Sequence, residues 1–252
     1  MKKTKLILLL PALLLASCGE NYGKAITVEE ASPKINQITS KALDTNTMNL
    51  VAKEDTVAYD ATKKQKVTMK TDIIVARGKI KKFTSKISSG GSSATTEATW
   101  FQDSRYGGEV YYLSVSDGKT TQKMKVAKSS TQFATINKSC EELNTQLKDV
   151  IKNMQDPIAT LSRKDIVKGS ISGFEFTYFA KGEDDLTIKS KPNSGDVTGY
   201  FNATYNKGLI RKYDYKFTNK EGTYLQEKYD LDFDGDVNVK VPSGFDNVIT
   251  AI

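Results

Sequence analysis

The sequence predicts a mainly β protein: one curved antiparallel meander sheet, an open half-barrel, with an N-terminal helix and a mid-chain helix against its concave face. Three observations lead there. From residue 57 onward, runs of strand length alternate β-branched and aromatic residues with polar ones, punctuated by Gly-containing turn dipeptides. The connections are too short for crossovers, so successive strands are antiparallel neighbours. Only two segments carry helical period, and a single sheet must cover its apolar face by curling or by taking helices onto it.

The chain opens on a positive stretch, Lys2, Lys3 and Lys5, followed by an apolar run over 6–15 and then Ala16-Ser17-Cys18. Charge, apolar run and small residues in that order form a secretory signal, too short to span a bilayer. The cysteine at the cleavage point resembles the lipobox of bacterial lipoproteins. That resemblance implies a diacylglycerol on the Cys18 thiol and loss of residues 1–17. The expected organisation is signal peptide 1–17, lipidated tether 18–27 and a single β-rich domain over 28–252. The polar stretch over 19–24 within it reaches no further than roughly 20 Å even fully extended. A cell membrane or an outer membrane, on the extracytoplasmic side, is the predicted address. Gly19, where an Asp would retain a lipoprotein at an inner membrane, leaves both open.

Without residues 1–17 the chain retains 235 of its 252 residues, enough for one core without disulfide or metal. The signal holds three of the 37 Lys and Arg and none of the 30 Asp and Glu, so the net charge falls from +7 to +4. That mild balance fits a solvated surface near anionic head groups and does not point to nucleic acid. With Cys18 lipidated, Cys140 has no disulfide partner and reads as a small buried side chain on a helix. The chain contains no histidine. Ser-His-Asp and Cys-His machinery and His-bearing zinc or haem sites are therefore excluded, and acid–base work would fall to Asp, Glu, Lys or Tyr.

Thr27 followed by Glu30 reads as a capping box, with Ser32-Pro33 as an alternative start, and Ile35, Ile38, Ala42 and Leu43 form a stripe of helical period. One amphipathic helix over about 28–43 follows. Strands are predicted over 65–75 and 79–87, a Gly/Ser-rich flexible loop over 88–93, and strands over 96–102 and 109–115. Asp117-Gly118 turns the chain into a strand over 120–126, and a short strand is expected over 132–136. A helix over 139–154 follows, capped by Ser139 and ended by Asp156-Pro157. Strands resume at 174–179, 186–188, 197–205, 209–217 and 224–233, and Asp234-Gly235 turns the chain into a last strand over 237–241. Two small domains divided near Ser139 are the alternative architecture.

This order, a helix, a meander, a helix and a second meander behind a lipobox, resembles the LolA/LolB-like and LppX-like lipoprotein-carrier superfamily. The ending from Tyr229-Asp230-Leu231-Asp232-Phe233 to Val241-Pro242 is similar to the closing hairpin of such proteins. The resemblance implies a hydrophobic cavity between sheet and helices that holds a lipid or acyl chain. Candidate lining residues are Trp100, Phe101, Tyr112, Phe174, Phe176 and Tyr178; ordinary sheet packing accounts for the same rings. Trp100 and Phe101, adjacent in a strand, point to opposite faces.

The other chemical candidate is Asp230, Asp232 and Asp234 ahead of Gly235, matching the first half of an EF-hand calcium loop. Val241 stands where the bidentate Glu belongs, and strand alternation places Asp230, Asp232 and Asp234 outward with Tyr229, Leu231 and Phe233 inward. Glu183-Asp184-Asp185 reads as a solvated turn, and the lysines from 63 to 82 as a solvated face that could lean on anionic lipid. The expectation is a monomeric, non-enzymatic, lipid-anchored protein without cofactor that binds or carries a hydrophobic ligand. The alternative is a surface or structural interaction lipoprotein with no small ligand.

Overall fold

The computed structural model describes residues 21–41, 43–155 and 173–251. Cys18 and its leader, and the helix end expected at Asp156-Pro157, lie outside the described residues. The strands are β1 (Lys24–Ile26), β2 (Leu50–Asp60), β3 (Gln65–Ala76), β4 (Lys79–Ser89), β5 (Ser92–Asp103), β6 (Gly108–Ser116), β7 (Thr121–Ala127), β8 (Phe174–Ala180), β9 (Asp185–Pro192), β10 (Val197–Asn206), β11 (Leu209–Asn219), β12 (Tyr224–Asp232) and β13 (Thr250–Ala251). The helices are α1 (Val28–Ser40) and α2 (Thr131–Gln155).

The thirteen strands of the described residues belong to one open, curved sheet in the order β1-β8-β9-β10-β11-β12-β2-β3-β4-β5-β6-β7-β13. Neighbours are antiparallel except β7 and β13. The pairing of β12 with β2 joins the two meanders, so strands from both halves of the chain share one hydrogen-bonded ladder. The connection from β7 to β8 must then pass from one side of the sheet to the other. Helix α2, 25 residues and so about 37 Å long, belongs to that connection and touches β4, β7 and β11.

Three hairpins use two-residue turns, Arg77-Gly78, Gly90-Gly91 and Lys207-Gly208, with positive φ at both positions. That is the turn whose twist matches the strands it joins. The 88–93 stretch is therefore corrected: β4 and β5 run to within two residues of each other, with Ser89 opposite Ser92. The short strand expected over 132–136 is also corrected, because those residues belong to α2. Phe133, Ile136 and Cys140 continue the helical stripe back by two turns and pack on Tyr111 and Val126 of β6 and β7. Ser139 accordingly lies inside the helix, its hydroxyl donating to the Thr135 carbonyl.

Helix α1 begins where the capping box places it. The Thr27 N–H donates to the Glu30 carboxylate at 2.8 Å and the Glu30 N–H to Thr27 Oγ1 at 3.3 Å. Pro33 lies inside it, and it stops at Ser40 because Lys41 is extended. Ala31 and Ile38 are buried, and Leu43 still packs on the core although it is past the helix.

Strand β2 is absent from the sequence-based expectation, and the closing strand over 237–241 is not formed. The second outcome follows from β12, which has β11 on one side and β2 on the other and no free edge for a hairpin partner. The chain beyond Asp232 crosses the outer face of β2–β7 as an irregular strap instead. Lys123 donates to the Ser243 and Gly244 carbonyls at 3.3 and 3.2 Å, Phe245 is buried against Val110 and Tyr112, and β13 then runs parallel to β7.

Candidate functional site

In an antiparallel ladder, directly opposed residues share a face, so the register maps the surface each side presents. On the helix-bearing, concave side one row runs from Ala94 through Ile87, Met69, Thr56 and Glu227 to Tyr215, Phe201, Ser190 and Phe176. The adjacent row runs from Val115 through Thr96, Ser85, Thr71 and Glu54 to Tyr229 and Tyr213, ending at Ile188 and Tyr178. Further along the strands, Ile73, Ala52, Leu231, Ile210 and Tyr205 pass into a core closed by Ile38 of α1 and by Leu147, Ile151 and Met154 of α2.

The helices cover one end of the concavity and leave the other open. Ile87 is 47% exposed, Val115 49%, Met124 39% and Phe176 43%, four apolar side chains on the same side of the sheet. The described residues thus present an open trough with apolar flanks. A polar belt crosses it: Thr96, Ser85, Thr71, Thr56, Glu54 and Glu227. The Tyr229 hydroxyl donates to Glu54 at 3.0 Å and to Glu227 at 3.4 Å, and Thr56 Oγ1 donates to Glu54 at 3.0 Å. Burial, then the Glu227 charge, pushes the Tyr215 and Tyr229 phenols far above their ordinary range and keeps both neutral. A trough of this kind offers dispersion contacts along its flanks and hydrogen bonding across its middle.

The predicted lining residues divide between the two faces. Phe174, Phe176 and Tyr178 stand together on the concave side of β8, with successive ring centroids 6.5 and 6.4 Å apart, and Phe174 also meets Phe217 at 6.3 Å. Trp100 is on the concave side too, but it packs with Tyr111, Val126 and Phe133 beneath the start of α2, with Lys81 Nζ 3.6 Å over its ring. Phe101 and Tyr112 point the other way. They form an edge-to-face pair at 5.7 Å on the outer face, and Phe245 of the strap meets Tyr112 at 5.3 Å. The apolar side chains that sequence reasoning did not single out, Ile87, Val115 and Met124, with the Glu54–Tyr229–Glu227 group between the flanks, become visible only once register is known.

The carboxylates proposed for calcium are spread along β12 and its exit. Arg211 donates to Asp234 at 2.8 Å and lies 3.9 Å from Asp232, while Leu231 is buried and Phe233 half-buried on the core side. Among the described residues no three His, Cys, Asp or Glu side chains are grouped to hold a metal ion. Cys140 is a buried free thiol on α2, and burial pushes it up from its ordinary value. Among the described residues no helix is long and apolar enough to cross a membrane.

No protein-family model matches the sequence, and no curated protein matches it. Among solved structures the chain is similar to a DUF1329 family protein from Desulfovibrio piger, at 11% identity over 86% of this chain and 96% of that one, with a TM-score of 0.20. It is likewise similar to a "putative outer membrane lipoprotein-sorting protein domain" from Vibrio parahaemolyticus, at 11% identity over 87% and 95% of the two chains, with a TM-score of 0.20. At that score neither likeness bears on fold or function.

Proposed function

We propose that the chain is an extracytoplasmic lipoprotein, held to a membrane through Cys18, that binds or carries a hydrophobic ligand in the trough on the concave side of its sheet. The observation supporting this reading is the exposed set Ile87, Val115, Met124 and Phe176, in a concavity that the two helices only partly fill. Apolar side chains left in water across one concave face are the usual mark of a ligand or partner surface. The belt of Thr, Ser and Glu through the trough favours an amphiphile, such as a lipid or an acylated molecule, over a bare hydrocarbon. The reading assigns no catalytic role and no cofactor.

Native mass spectrometry of the protein lacking residues 1–18, purified from cells, tests the ligand. A co-purified lipid, and displacement of a fluorescent fatty-acid probe that is weakened at least about tenfold by Ile87→Glu and Val115→Glu, are the expected results. Absence of both lipid and probe binding overturns the carrier reading and leaves the surface-interaction reading, in which a protein partner covers the same flanks. Cys18→Ala tests the anchor separately: the variant loses its lipid and its membrane fraction, and a variant that stays fully membrane-bound refutes lipidation.

A further inference from the structure

The strap over the outer face borders a second, chemically opposite space that stays open to solvent. Between residues 240–245 and strands β4 to β7 there is a pocket of about 360 Å³, lined by Lys82, Glu97, Ser114, Lys123 and Lys240 with Ser243 and Phe245 on the strap side. Glu97, Ser114 and Lys123 are directly opposed in register on three successive strands, so their side chains rise side by side as its floor. Lys82 closes on Glu97 at 2.7 Å, and that pair is neutral overall. Lys123 holds the strap by donating to the Ser243 and Gly244 carbonyls, neither of which offsets its charge. Lys240 reaches the pocket from the strap and forms no ion pair among the described residues. Three lysines against one carboxylate leave a net charge of +2 in the pocket, beside the Ser114 and Ser243 hydroxyls.

We propose that this outer-face pocket binds a phosphomonoester, with the phosphate between Lys123 and Lys240 and against Ser114. A dianionic phosphate matches the residual charge, and ammonium groups act as point charges that accept phosphate without demanding a bidentate geometry. The volume is at the low end of small-molecule sites, about 300–1,000 Å³, so a phosphate with a short polyol fits and an acyl chain does not. The phosphomonoester can come from a soluble ester or from the exposed head of an anionic lipid. Since Lys123 and Lys240 sit on opposite walls, a bound phosphate ties the strap to the sheet. Binding here is independent of the trough, which opens on the other face.

Titration of the protein lacking residues 1–18 with sn-glycerol 3-phosphate, followed by amide chemical shifts with glycerol as control, tests the soluble source. Flotation with phosphatidylcholine vesicles with and without phosphatidic acid tests the lipid source. The expected result is saturable binding in one of the two arms, weakened at least about tenfold by Lys240→Glu, together with slower proteolysis of the strap when the phosphate is bound. Lys240 is exposed and the substitution leaves the core untouched; Ser114→Ala supplies a neutral check with a smaller loss. Binding in neither arm, or binding that Lys240→Glu leaves unchanged, overturns the proposal.

Discussion

Gln155 gives the sharpest test of how the helices are joined to the sheet. It is only 8% exposed at the end of α2, yet it is polar. Its Nε2 donates to the Ile38 carbonyl at 3.1 Å and to the Gly208 carbonyl, and its Oε1 accepts from the Ile210 N–H at 3.1 Å. One side chain thereby satisfies backbone groups of α1, of the β10–β11 turn and of β11. Gln155→Met keeps nearly the same volume and shape, so packing changes little while all three bonds disappear. The Ile38 carbonyl keeps the Lys41 N–H at 3.2 Å, which leaves Gly208 and Ile210 to carry the loss. At about 1 kcal/mol net per neutral bond, and more for a buried group left bare, the cost is about 2–4 kcal/mol. In a chain of this size that lowers Tm by about 5–15 °C and the urea midpoint by about 1 M. Thermal and urea melts followed by circular dichroism measure it. A Met variant within about 0.5 kcal/mol of the parent shows that the end of α2 is held by packing alone and refutes the reasoning.

Other outcomes follow from the same geometry. Phe245→Ala removes the ring that seats the strap against Tyr112 and costs about 3 kcal/mol, with new protease cleavage within 233–249; an unchanged digestion pattern refutes the strap's attachment. Gly199 has φ +141°, and a Cβ there would lie 1.9 Å from the Lys216 carbonyl oxygen, so Gly199→Ala either abolishes soluble folded protein or costs more than about 2 kcal/mol by urea melt. Burial raises the Tyr111, Tyr215 and Tyr229 phenols in the folded state, whereas unfolded tyrosines ionise near pH 10. The stability they contribute is fully present below pH 10 and falls above it by up to about 1.4 kcal/mol per pH unit for each tyrosine; urea midpoints that stay level from pH 9.5 to 11 contradict it. The raised, buried Cys140 thiol should react with a disulfide reagent at pH 8 only as fast as the protein unfolds, which a reaction rate independent of urea disproves.

Much of the local structure is legible along the chain because it is stabilised by neighbours in sequence. The Thr27–Glu30 capping box sets the start of α1, and the Arg77-Gly78 and Lys207-Gly208 turns set two hairpins. The alternation through β10, β11 and β12 identifies the buried faces, as Phe201, Tyr213, Tyr215 and Leu231 show. Strand β2 was hidden for a physical reason: Glu54 and Thr56 occupy inward positions, so the strand lacks the apolar alternation that identifies the others. The start of α2 was hidden because residues 132–136 also suit a short strand, and only the seat of Phe133 and Cys140 on Tyr111 and Val126 selects the helix.

What the sequence by itself determined is the mainly β class, most of the hairpins and the two helical stripes. Tertiary structure alone decided that β12 lies against β2. That pairing removes the edge a closing hairpin needs and sends the C-terminal segment across the outer face. It also decided which rings share a surface, separating Phe176 and Tyr178 from Phe101 and Tyr112. The reason is general: side-chain alternation encodes which residues of a strand face the same way, but not which strand lies alongside. The partner is selected by burial summed over the whole sheet, against a loop-closure cost that grows only slowly with separation along the chain.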